Sequence, residues 1–165
     1  MRKLIIVVAA LAAITAAPVA FSADSACKLT GSWIGYLVGP SASWTAVADG
    51  VSQSFGSIVI TYPAMDATLF GTFQSAVRIS SFQGTWARKG GGKFAYTTVA
   101  ISVDALGNTL WVGKLEGTET MQPGCMQELV TAKFSAYAPD ANPFTGTPFF
   151  KMDLPDHYGI RMPTP

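Results

Sequence analysis

The chain has 165 residues, 49% of them apolar, with 11 Lys and Arg against 10 Asp and Glu for a formal net charge of +1. So even a balance, with no cationic cluster larger than Arg88-Lys89, offers no basic face for counterion release and argues against a nucleic-acid partner. Two cysteines and one histidine are too few ligands for a structural zinc, and the length suits one domain around one core.

Met1-Arg2-Lys3 precedes an uncharged apolar run from Leu4 to Ala17, and Ala20-Phe21-Ser22 places small residues at both specificity positions of a cleavage site. Residues 1–22 therefore read as a secretory signal peptide, and the product is expected to be exported, periplasmic or extracellular. The run is short for a membrane span and no later stretch is long enough, so no membrane span is expected after cleavage. Removing 22 of 165 residues leaves 143, and losing Arg2 and Lys3 leaves 9 basic against 10 acidic side chains. In an exported chain Cys27 and Cys125 are expected to pair as a disulfide.

Leu29 to Val38 is the first predicted strand, with Trp33, Gly35 and Leu37 on one face and Ile34, Tyr36 and Val38 on the other. Gly39 to Gly50 is rich in Gly, Ser, Ala and Pro and is expected to be a loop carrying Trp44 as its one large residue. Ser57 to Tyr62 is a β-branched run that stops at Pro63, and Ala67 to Phe73 is a shorter strand. Four long runs follow: Phe82–Arg88, Lys93–Val103, Thr109–Glu119 and Met126–Tyr137. They are separated by turns at Lys89-Gly90-Gly91-Gly92, Asp104 to Asn108 and Gln122-Pro123-Gly124, which makes them an antiparallel meander. Phe144 to Met152 reads as a further edge strand. The prolines at 155, 163 and 165 predict an extended tail over 155–165, outside a barrel domain spanning 23–154.

Glycine recurs two residues before an aromatic, in Gly31-x-Trp33, Gly71-x-Phe73 and Gly84-x-Trp86. Residues i and i+2 share a face, so each ring lies beside a bare backbone patch, as a strongly curved sheet requires. Long strands, short turns and the absence of an amphipathic helix pattern predict an all-β fold. The expected architecture is an up-and-down antiparallel β-barrel of about eight strands, which removes its own edges.

Gly31-Ser32-Trp33 resembles the Gly-x-Trp signature of the calycin superfamily of lipocalin-like barrels. Gly84-Thr85-Trp86, Phe94-Ala95-Tyr96-Thr97, the Asp104 to Asn108 turn and Gly117-Thr118 are similar to a group of bacterial and fungal lipocalin-like proteins. The resemblance covers residues 29–136 and implies a barrel rather than an activity. True lipocalins set a late arginine over the first-strand tryptophan, whereas the last meander strand here offers Lys133 rather than an arginine.

Alternation places Trp33, Leu37, Trp86, Trp111 and Leu115 inside the barrel, where they are the candidate lining of a cavity for a small apolar ligand. No cofactor and no metal is called for. A barrel enzyme of isomerase or cyclase type is the alternative and needs an inward acid or hydroxyl, with Glu116 and Tyr96 the candidates. The same alternation, however, sets Lys114, Glu116 and Thr118 on the solvent face. A third reading is a structural or interaction protein whose barrel is filled by its own side chains. His157, the only histidine, is expected on the surface of the tail, and no nucleophile elbow or phosphate loop is present.

Overall fold

The computed structural model describes residues 27–36, 40–49, 54–61 and 78–163. The signal peptide expected at residues 1–22, Leu37 and the strand expected at Ala67 to Phe73 lie outside these residues. Within them the chain forms β1 (Gly31–Tyr36), β2 (Pro40–Ala48), β3 (Phe55–Thr61), β4 (Arg78–Ile79), β5 (Phe82–Gly90), β6 (Lys93–Val103), β7 (Thr109–Met121), β8 (Gln127–Tyr137) and β9 (Phe150–Arg161). Every pairing is antiparallel. The order β6-β5-β3-β2-β1-β9-β8-β7 closes through β6–β7, giving an eight-stranded up-and-down barrel; the short β4 continues the line of β5 along β6. No described helix is long and apolar enough to cross a membrane.

The meander pairs its strands in chain order as expected, and its glycine turns have the conformation that glycine permits. Gly90, Gly91 and Gly92 take φ of 86°, 58° and 71°, values strained for any residue with a Cβ. At the next turn Asp104 accepts hydrogen bonds from the backbone N–H groups of Leu106 and Asn108, each at 2.8 Å, and this closes the loop onto itself.

Two segments depart from expectation. Pro40 to Ala48 is a strand rather than a loop: its inward residues are Ala42, Trp44 and Ala46, and Ser43, Thr45 and Val47 alternate outside. Period two is present there, but in residues too small to register as hydrophobic contrast. The expected tail is the larger correction. Residues 155–161 belong to β9, which pairs with both β8 and β1 and closes the barrel. Pro155 is accommodated because the β8–β9 register shifts between Val130 and Ala132, so the residue lacking an N–H sits at a bulge.

The interior is aromatic. Phe134 is the hub of one cluster, edge-on to Phe82 at 6.3 Å and to Trp111 at 5.8 Å, with Phe150 tilted against it at 6.4 Å. Trp86 and Phe94 form a second edge-to-face pair at 5.7 Å. Rings this large fit a small barrel because glycines face them across the sheet. The Trp44 ring lies over the cross-strand pair Gly35 and Gly159, and Tyr96 lies over its partner Gly117; a Cβ at any of the three would stand 2.5 Å from the ring or its hydroxyl.

Candidate functional site

Strand polarity gives the barrel two unlike ends. At one, the segment before β1 crosses the opening as a plug, with Cys27 and Leu29 at 1% and 0% exposure. The Cys27–Cys125 disulfide ties this plug to the β7–β8 turn, with a Cα–Cα distance of 5.4 Å. Trp33 Nε1 donates to the Leu29 carbonyl at 2.9 Å, and Arg88 donates to the carbonyl of Cys27. Arg161, near the end of β9, donates to the carbonyls of Lys28, of Thr30 at 2.7 Å and of Cys125 at 3.1 Å. Its guanidinium also sits 4.3 Å from the centroid of Trp33, a cation–π contact. The late arginine over the first-strand tryptophan is therefore Arg161. Lys133 instead points outward and pairs with Asp153 at 3.5 Å.

The opposite end is framed by the Asp104–Asn108 turn and the β8–β9 loop. Leu106, Phe144 and Phe149 are exposed around it. Beneath them Phe150 and Met152 face inward from β9 and are only half-buried, beside the Phe134 cluster. We refer to this end as the mouth, opposite the plugged base.

The residues expected to line a cavity divide between these regions. Trp33 and Trp86, at 0% and 1% exposure, belong to the sealed half, and Leu115 at 0% lies midway. Trp111, at 3%, is next to the mouth, across from Ser102. All four face inward and pack against neighbouring side chains. A groove of about 650 Å³ lies elsewhere, on the outer face of β3, β5 and β6, where its lining includes Phe55, Ser57, Thr85 and Thr97. Glu116 is outside the barrel, 3.3 Å from Lys114, whereas Tyr96 is inside at 4% exposure.

Three further polar residues are inside: two glutamates that alternation alone could have flagged, and a histidine that the bulge in β9 turns inward. Glu119 and Glu128 are 1% and 0% exposed. Glu119 continues the inward series Trp111, Gly113, Leu115, Gly117, and Glu128 that of Val130, Ala132 and Phe134. The two carboxyls come from adjacent strands, one step apart in register, since Glu119 pairs with Val130 and Glu128 with Met121. Burial pushes the Glu119 carboxyl well above the ordinary range, reinforced by repulsion from Glu128. Burial likewise raises Glu128, to about 8, against the opposing influence of the Trp44 indole N–H and the Arg161 charge. The Trp44 N–H approaches the Glu128 carboxyl without reaching hydrogen-bond geometry, and both Glu128 oxygens and Glu119 Oε2 lack a hydrogen-bond partner. His157 is the third. It is 5% exposed rather than on the surface, facing inward opposite Val130 with Nδ1 3.1 Å from the Pro155 carbonyl.

Compared with protein-family models, curated proteins and solved structures, the chain matches none.

Proposed function

We propose that this protein is an exported, lipocalin-like barrel that takes up a small apolar ligand at its mouth. The observation that carries the reading is the asymmetry of the two ends. The base is closed by a covalently tied plug, whereas the mouth brings half-buried Phe150 and Met152 to the surface beside Trp111 under a rim of exposed Leu106, Phe144 and Phe149. Apolar side chains that converge and stay partly accessible are the usual substance of a ligand site. The lipocalin-like assignment is supported by the closed barrel, Gly31-Ser32-Trp33 and the guanidinium of Arg161 over that tryptophan. Trp33 and Trp86 then serve as scaffold, and among the described members of the expected lining Trp111 is the one nearest the ligand. The disulfide favours an oxidising, exported setting.

The test is titration with an environment-sensitive apolar dye, alongside native mass spectrometry of the purified protein. Saturable one-to-one uptake is expected, weakened about tenfold or more by Phe150→Ala, a loss of about 1.4 kcal/mol, and unchanged by Lys133→Ala on the outer wall. Absence of any saturable uptake, or equal effects of the two substitutions, would overturn the reading.

A further inference from the structure

Glu128, one of the acid pair inside the barrel, and the plug beneath it share one cation. Arg161 is the residue that donates to the plug carbonyls of Lys28 and Thr30 and to Cys125 in the β7–β8 turn, and it is also the cation whose charge acts on Glu128. Glycines make this proximity possible. A Cβ on Gly159 would stand 2.6 Å from Glu128 Oε1, and one on Gly31 would stand 2.8 Å from the Arg161 Nη1. Arg161 is two residues beyond Gly159 on the same strand and the same face. From the geometry we infer that Glu119, Glu128 and Arg161 form a pH-operated latch on the N-terminal plug.

With both carboxyls neutral, the strongest acceptors available to the guanidinium are the plug carbonyls, and the base is held shut. Ionisation puts negative charge among residues of 0–1% exposure, where it cannot be left unpaired. Two responses are open to it: to draw Arg161 inward, off Lys28 and Thr30, or to admit water through the base. Either loosens the same segment.

The other groups that face this interior leave Arg161 as the responder. From β9, His157 has its Nδ1 at the Pro155 carbonyl. From β5, Arg88 is committed to the Cys27 carbonyl and stands 5.0 Å from the Phe94 ring. From β6, Tyr96 lies over Gly117. The Trp44 N–H from β2 carries no formal charge. Cys27 stays tethered to Cys125 throughout, so the movement is confined to the residues between the disulfide and β1.

The test is hydrogen exchange followed by mass spectrometry on the oxidised protein between pH 6 and 9, corrected for the intrinsic pH dependence of exchange. Protection of residues 28–32 is expected to fall at least tenfold further across the range than that of β6, whose protection follows the global loss of stability with pH. In Glu128→Gln the protection of 28–32 should stay flat with pH, and in Arg161→Lys it should be low at every pH because the fork of donors is gone. Parallel loss in the plug and in β6 would show general destabilisation and overturn the latch, as would no loss in either. An unchanged pH profile in Glu128→Gln would overturn it too. If that variant fails to fold, the wild-type comparison of plug against β6 decides by the same criteria.

Discussion

Trp44 shows how far one side chain's surroundings can reverse its reading. In a stretch of Ser and Ala it has the look of a loop aromatic whose removal would be mild. In the barrel it is 4% exposed, lies over Gly35 and Gly159 and approaches Glu128. Trp44→Ala is therefore expected to destabilise by about 3–5 kcal/mol, comparably to Trp33→Ala and Trp86→Ala, as measured by urea unfolding. The buried acids belong to the same scale. Their folded pKa values lie above the unfolded value near 4.5, so folding favours the protonated form. That stabilisation is full below about pH 4.5 and is lost as pH rises through the folded value of about 8 for Glu128. The urea midpoint should accordingly fall between pH 5 and pH 9, by a free energy on the order of 4 kcal/mol. Glu128→Gln should flatten the profile.

At the scale of the element, β9 decides whether the sheet is open or closed. Its residues Tyr158 to Arg161 make every pairing with β1, and its Phe150 to Leu154 half pairs only with β8. A chain ending at Leu154 would leave β1 and much of β8 as unpaired edges, lose Arg161 from the base and expose aromatic core. Such a truncation is expected to abolish the cooperative thermal transition and to aggregate, measured by circular dichroism and sedimentation. A stable monomer with an unaltered midpoint would contradict the role given to β9.

For the whole molecule, the plug closes one end of the barrel, and its strongest tie is covalent. The disulfide spans 98 residues of sequence. On the chain-entropy account a loop of that size contributes roughly 4–5 kcal/mol. Reduction should lower the thermal midpoint by ten degrees or more, taking a shift of about 4–8 °C per kcal/mol for small domains and less for larger ones. An unchanged midpoint under reducing agent would show that the plug contributes little to the fold.

What the sequence by itself determined is what depends on local chemistry: strands from β-branched and aromatic alternation, turns from Gly90-Gly91-Gly92 and Asp104 to Asn108, and the inward face of β7 from Trp111, Gly113 and Leu115. Curvature was legible too, because glycines beside aromatics are a local pattern. The roles of Pro40 to Ala48 and of Pro155 to Arg161 were not, since small residues and prolines carry weak strand signals and acquire them only from partners on both sides. Glu119 and Glu128 lay on inward series, yet a carboxyl near a strand end is ordinarily a solvent residue. Only closure of the barrel, with Arg161 brought from the far end of the chain to the base, removed the water that would have kept them exposed.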